Sequence, residues 1–387
     1  MLSLASKITY AECRTSECDS RDTLWKRMLF GDAIEASRIP GIGHDSDYRA
    51  YALACEAQGD QYLFESLLQE ALGPIRNRIV AADEDVERNR PVVLLSTVMG
   101  SRPDHDRSDP ISAAEGVRAA LDSDTAAVAT FLGGHVDVIG IGSGCAAGTT
   151  VIGLAQSLVS SGRADMVICL GAEVLSYEVL TLFLALGGLS DDDMVRPFDA
   201  DRRGMMPGEG FGVVVVEPPE FAKAPLASIA GYGEACDGWN LVAPSPTATG
   251  LSIAITDALA SASITVDDVG WICAHGTGTR ANDALEASAY DRIFSARHDR
   301  VPVVSIKGTT GHCQGAAGVI ETVVAVTSLR EGVVPPNKTI STLESGIEEL
   351  AHVQVPCSAV PLAGNNYVLS TSFGFGGSVA AVVIGAP

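Results

Sequence analysis

The sequence predicts an α/β fold assembled from two copies of one plan. Three observations carry this expectation. Short apolar runs alternate with helical stretches, two distant segments share a strand–turn–helix order, and no apolar run reaches the roughly 18 residues that span a bilayer. In the first segment, Val136–Ile141 reads as a strand, followed by the turn Gly142–Gly148, an amphipathic helix and a second apolar run ending at Glu173. In the second, Val301–Lys307 is the strand, Gly311–Gly315 the turn, and another helix follows. Cys145 and His312 share one slot, between a glycine and the first turn of a helix. A pseudo-twofold relation between the copies would therefore bring a thiol and an imidazole into one pocket.

The remaining elements follow in order. Leu2–Tyr10 reads as a first strand, and Asp22–Leu29 opens a helix with Asp19 or Ser20 as its cap. Ala50–Leu72 reads as helix and Pro91–Thr97 as a buried strand. Met166–Leu170, Val213–Val216 and Ile229–Gly231 are further strands. Ile253–Ala262 and Ala284–Phe294 read as helices, with the strand Trp271–Ala274 between them. Asn366–Ser370 and Ala380–Ile384 form a closing hairpin around Gly374-Phe375-Gly376-Gly377. Pro218–Pro225 is the expected join, giving an N-terminal half at 1–222 and a C-terminal half at 223–387 within one compact unit.

Composition narrows the function. The 387 residues are 47% hydrophobic and 19% charged, which suits an extensive core. A net charge of −22 excludes nucleic acid as a partner, since phosphate binding needs a basic face. Nine cysteines without framework spacing, and no basic start followed by an apolar block, predict reduced thiols in a cytoplasmic protein. No metal-ligand spacing is present, Cys13 and Cys18 being too isolated, and no organic cofactor is implied.

Three residues stand out as chemistry. Cys145 sits where unpaired backbone N–H groups and the positive end of a helix favour thiolate, and Gly144, Ala146 and Ala147 leave room for a thioester; the competing reading is a buried structural cysteine. His275, in His275-Gly276-Thr277-Gly278-Thr279, follows a strand end, where α/β folds place active-site groups; a turn histidine packed under a loop competes. His312 has the same alternative, weakened by its repeat-matched position. His44, His105, His135, His298 and His352 lack such context and read as surface or structural.

Together these segments resemble the β-ketoacyl synthases, the decarboxylating condensing enzymes of the thiolase superfamily. The resemblance runs from about residue 130 to the C-terminus. It is carried by Gly144–Gly148, by Arg196-Pro197-Phe198-Asp199-Ala200-Asp201-Arg202 leading to Gly208-Glu209-Gly210, and by 275–279 with Asn282, Asp283 and Glu286. Ser305-Ile306-Lys307, Gly311-His312, Gly315–Gly318 and Ser372–Gly377 complete it. It implies a five-layer α/β/α/β/α fold and a Cys-His-His centre. Cys145 would accept an acyl chain from a carrier-protein thioester. His275 and His312 would stabilise the enolate left when a malonyl thioester loses carbon dioxide, a task suited to preoriented N–H donors. The N–H groups of Cys145 and Phe375 match the family's oxyanion hole, and Phe375 its gate. Thr277 and Thr279 match the residues holding the malonyl end, with Gly374 and Gly376 beside the substrate. Lys307 and Glu321 match a structural pair, against a reading as two unrelated surface charges; Asp283 and Glu286 read as scaffold.

The C-terminal glycine loop lacks the second cysteine of a thiolase, His312 is not the asparagine of an initiating synthase, and Cys145 is absent from chain-length factors. The pattern favours elongation in fatty-acid, polyketide or polyene-type metabolism. Departures are the glycine-free start Leu2–Cys13, a short stretch between Met99 and Gly133, and Gly144 where the family more often has alanine. Arg202 matches a position that meets the acyl carrier protein, and Arg203 adds a charge; Arg76, Arg78, Lys26 and Arg27 are weaker candidates. A homodimer is the default expectation, with a heterodimer beside a Cys-less partner as the variant. The competing functions are acyl transfer without condensation and a non-catalytic partner subunit.

Overall fold

The computed structural model describes residues 6–39, 48–51, 60–85, 91–98, 110–175, 177–362, 364 and 367–387. Its main sheet has eleven strands. From one end they run Val353–Gln354, Val301–Val304, Val269–Cys273, Tyr367–Phe373, Ser378–Gly385 and Ala227–Cys236, then Ser6–Thr15, Gly210–Glu217, Val167–Glu173, Val92–Ser96 and Asp137–Ile141.

The duplication is visible in this order. Numbering the five strands from Ser6 to Glu217 by sequence gives the spatial order 3-2-4-5-1, and the five from Ala227 to Gly385, excluding the short Val353–Gln354, give the same. Directions agree as well. In each copy the second strand is parallel to the third and fourth, while the fifth is antiparallel to the fourth and the first. The copies meet where Ser6–Ile8 pairs with Ala227–Ile229.

Layering follows from strands that are apolar on both faces. Val213 and Val215 pack with Phe64, Leu67 and Ile79 of the outer helices Asp60–Leu72 and Arg76–Glu84, while Val214 and Val216 pack inward. In the other copy Trp271 and Cys273 face inward, whereas Ile272 packs outward with Ala287 and Tyr290 of helix Arg280–Ile293 and with Leu251 of helix Thr249–Ala262. Between the two sheet halves lie helices Ala147–Ser160 and Gln314–Glu331, the second buried from Gln314 through Ser328. The result is five layers, α/β/α/β/α. Among the described residues no helix is long and apolar enough to cross a membrane, and the eight cysteines are all free.

The central helices cross with their backbones in contact. A Cβ on Gly318 would lie 2.3 Å from the Thr149 nitrogen, and one on Gly148 would lie 2.7 Å from the Gly318 nitrogen. Each helix starts at a site-bearing turn, so this crossing sets how those turns face each other.

Local signals hold or yield according to what packs on them. Ser20 caps helix Arg21–Phe30 in a reciprocal box with Thr23. The first strand runs Ser6–Thr15; Leu2–Ala5 and Asn366 lie outside the described residues. The helix expected over Ala50–Leu72 begins at Asp60, with 52–59 outside the described residues. Ala50 instead ends the strand Tyr48–Ala50. Tyr51 is drawn into extended pairing, its N–H donating to the Pro207 carbonyl at 2.9 Å and its carbonyl accepting from Glu209 N–H at 3.0 Å. Tertiary pairing overrides the helical pattern there.

Overpacking tests the helix crossing. Gly318→Val should lower stability by roughly 1–3 kcal/mol or more, read from the midpoint of denaturant unfolding. Gly73→Ala, where an added Cβ meets nothing within 4 Å, should stay within about 0.5 kcal/mol. Equal midpoints for the two would contradict the tight crossing.

Candidate active site

Cys145 lies in the single turn Gly144–Ala146 that leads from strand Asp137–Ile141 into the first central helix. Gly144 opens the turn with φ +62°, a left-handed backbone that favours glycine, and a Cβ there would meet the Phe375 nitrogen at 3.4 Å, an ordinary contact. The Phe375 N–H thus lies beside the Cys145 turn. Burial pushes the Cys145 thiol up to about 12, helped by Glu173 and opposed by Lys307 and the cysteine's own backbone N–H. The thiolate expected from the helix N-terminus is therefore not the resting form, because loss of hydration outweighs the favourable dipole.

His312 sits between the short helix Lys307–Thr310 and the second central helix. Its backbone is held on both sides, its N–H donating to the Met206 carbonyl at 2.7 Å and its carbonyl accepting from Gly208 N–H at 3.0 Å. The Gln314 N–H donates to its Nδ1 at 3.3 Å, which leaves the ring proton on Nε2. His275 follows strand Val269–Cys273. Glu286 anchors the His275 turn, accepting from the N–H groups of His275 (2.6 Å) and Gly276 (2.8 Å), from Asn282 Nδ2 (3.0 Å) and from the Tyr290 hydroxyl (2.5 Å). Asp283 accepts from Phe198 N–H at 2.9 Å and Gly278 N–H at 3.2 Å. Burial lifts Asp283 to about 6 and Glu286 to about 7, against these same hydrogen bonds.

The two rings stand edge to face, 5.1 Å between centroids and 85° between planes. Burial, then Lys307, then the neighbouring His312 hold His275 well below 6.5, and burial and Lys307 do the same for His312. Both are neutral near pH 7. His275 Nδ1 is buried without a hydrogen-bond partner among the described residues. Lys307 is itself buried, with Nζ donating to Glu321 Oε1 at 2.6 Å. Burial pulls the ammonium down, but Glu321, with smaller help from Cys273 and Glu286, more than compensates and keeps it charged. Glu321 also accepts from the Ser372 hydroxyl at 3.4 Å. The pair is an internal ion pair and not two surface charges.

A cavity of about 440 Å³ joins these pieces, lined by Cys145, His275, His312, Thr277 and Thr279. Gly374 and Phe375 close one wall, and the Thr277 and Thr279 hydroxyls lie 3.0 Å apart. Gly376 is not on the wall; its N–H donates to the Leu241 carbonyl at 2.8 Å and ties the two loops together.

Arg202, expected to meet a carrier protein at the surface, is only 2% exposed. It donates to the carbonyls of Asp199 at 2.8 Å, Arg280 at 3.0 Å and Thr279 at 3.3 Å, and it pairs with Asp283 and Glu344. Those carbonyls draw the arginine under the Thr279–Arg280 turn. Arg203 is exposed and paired with Asp191 at 3.3 Å. Among the other histidines, His135 pairs with Asp83 at 2.8 Å, and His44 and His105 lie outside the described residues.

Several contributors had no local signal. Glu173 accepts from Val98 N–H and Gly315 N–H, both at 2.9 Å, and so stitches the two copies together behind Cys145. Phe183, on helix Tyr177–Ala185, sets its ring 5.6 Å from that of Phe375, tilted by 50°, and packs with Met205. Ser305 donates to the Gly276 carbonyl at 2.7 Å, coupling the strand before Lys307 to the His275 turn.

The β-ketoacyl synthase N-terminal domain family matches residues 82–222 and the C-terminal domain family matches 226–341. Nodulation protein E of Rhizobium leguminosarum bv. trifolii is 40% identical over 214 residues, 54% of this chain and 53% of that protein. The chain thus spans about half the length of that curated relative. The 3-oxoacyl-[acyl-carrier-protein] synthase 2 of Mycobacterium bovis is 31% identical over 326 residues, 79% of this chain and 76% of its own. A ketosynthase from Xenorhabdus doucetiae, solved in complex with its chain length factor, has a TM-score of 0.84 at 23% identity, covering 99% of this chain and 98% of that one. With matches on both sides of the join between the two copies, and a relative aligned over most of its length, the chain belongs to the β-ketoacyl synthase family.

Proposed function

We propose that the protein joins a Cys145-bound acyl chain to a malonyl group carried on an acyl carrier protein, with loss of carbon dioxide. One observation carries the reading: a buried thiol and two neutral imidazoles line the same cavity. In the first half-reaction the Cys145 sulfur attacks an acyl thioester. The tetrahedral oxyanion lies against the Cys145 and Phe375 N–H groups, the carrier's C–S bond breaks, and the thiol's proton leaves with the carrier sulfur. In the second, the malonyl C–C bond breaks and its electron pair becomes an enolate, whose oxygen accepts hydrogen bonds from His275 and His312. The enolate carbon attacks the acyl carbonyl, the acyl–sulfur bond breaks, and the released Cys145 thiolate takes a proton from water. Neutral rings suit this task. They donate N–H groups to charge that develops on oxygen, and Lys307 opposes their protonation.

Thr277 and Thr279 are the proposed contacts for the malonyl end. Partnership with an acyl carrier protein is supported by the name of the mycobacterial relative. A dimer is supported by Asp137–Ile141, which ends the sheet with Ile139 exposed. A heterodimer with a Cys-less subunit is supported by the Xenorhabdus complex. The intact Cys145, His275 and His312 favour condensation over a non-catalytic partner role.

Intact-mass analysis after incubation with acyl-carrier thioesters should show one acyl adduct, lost in Cys145→Ala. Adding malonyl-carrier protein should release 3-oxoacyl product. His275→Ala and His312→Ala should still acylate, with condensation slowed by about 10²–10³-fold each, the cost of one oxyanion donor; normal turnover by either variant would contradict the enolate role.

A pH profile checks the charge state. Both rings titrate below the ordinary 6.5, so their neutral form persists as pH falls through that value. Condensation by pre-acylated protein should hold level from about pH 8 through 6.5 and fall only below it. A half-drop centred at 6.5 or above would contradict neutral rings.

A further inference from the structure

Apolar side chains dominate the cavity mouth; Arg280 is set among them, and the Asp237 carboxylate on the same lining is taken up by the N–H groups of Trp239 and Ser245. Leu186, Leu241 and Val242 line the cavity yet are 41%, 78% and 46% exposed, and Trp239 beside them is 62% exposed. Arg280 also lines the mouth and is exposed. Among the described residues no carboxylate pairs with its guanidinium. The other arginines considered for carrier docking are engaged. Arg202 is buried, and Arg203 pairs with Asp191 in a recess that also holds Asp192, Asp193, Asp199 and Asp201. Arg27 and Arg78 pair with Glu17 and Glu217.

A chain of net charge −22 with these four arginines so occupied offers an acidic partner little long-range attraction from them, and exposed Arg76 is turned onto Phe131, whose carbonyl it bonds. A thioester donor nevertheless has to reach the buried Cys145 through this mouth, so the protein bearing the donor must sit on it. A carrier's phosphopantetheine arm ends, on the carrier side, in a phosphodiester, which rests at the mouth once the thioester reaches the sulfur. Tryptophan and leucine in the open suit a desolvated docking core, and an unpaired guanidinium suits a phosphate.

We propose that the carrier protein docks on the apolar collar around Trp239 and Leu241 while Arg280 holds the phosphodiester of its arm. This rests on the condensation reading only in taking the thioester donor to be carrier-bound.

Cys145 acylation by three donors separates the parts: an acyl-carrier protein, the matching acyl-phosphopantetheine, and the acyl-N-acetylcysteamine, which has no phosphate. Trp239→Ser should raise KM for the carrier-bound donor at least about tenfold and leave both small donors unchanged. Arg280→Ala should raise KM about tenfold for the carrier-bound and phosphopantetheine donors and spare the N-acetylcysteamine donor. An equal effect of Arg280→Ala on all three donors, or no effect of Trp239→Ser on the carrier-bound one, overturns the proposal. So does a change of oligomeric state in Trp239→Ser by light scattering, which would assign the collar to a second copy. Those failures leave the condensation reading intact provided the N-acetylcysteamine donor acylates Cys145. If no donor acylates the wild-type protein, both fall.

Discussion

Everything in the site depends on two helices touching without side chains between them. Gly148 and Gly318 put the backbones of the two central helices in contact. Each helix begins at a turn bearing chemistry, one with Cys145 and the other just after His312. A wider crossing would separate sulfur from imidazole even with every local turn intact. The duplicated strand order supplies the rest, because each copy delivers its third strand to the same central layer from opposite sides.

Burial then decides the chemistry. Water exclusion raises the thiol to about 12 and holds both imidazoles neutral. The same exclusion strengthens each hydrogen bond aimed at a developing negative charge. Lys307 is a buried cation acting on Cys145, His275 and His312, and Glu321 helps keep it charged. It lowers the Cys145 thiol and both rings together. For the thiol this only partly offsets burial, since Glu321 acts in the opposite direction and the group stays at about 12.

Cys145, His275 and His312 are legible in the sequence because each sits in a glycine-bearing turn a few residues beyond an apolar strand, a pattern written within a dozen residues. What holds them is not. Met206 and Gly208 grip the His312 backbone from about a hundred residues away, and Glu173 reaches both Val98 and Gly315. Such clamps are backbone hydrogen bonds to distant partners, which leave no periodicity to read. Tyr51 shows the same effect on secondary structure, where pairing with Pro207 and Glu209 defeats a helical pattern. Arg202 shows it for a charge: an arginine reads as surface until three carbonyls are folded around it. The thiolate expectation for Cys145 failed for a different reason, since a helix terminus is visible in sequence and the depth of burial is not.

The proposed chemistry requires that both imidazoles donate to one oxygen beside the Cys145 sulfur. A crystal structure with a malonyl-thioester amide analogue tests it most directly. The account predicts the analogue's thioester oxygen within hydrogen-bond reach, about 2.6–3.2 Å, of a ring nitrogen from each of His275 and His312, with its reactive carbon facing the sulfur. An analogue held at the Cys145 and Phe375 N–H groups, or touching a single ring, would contradict it.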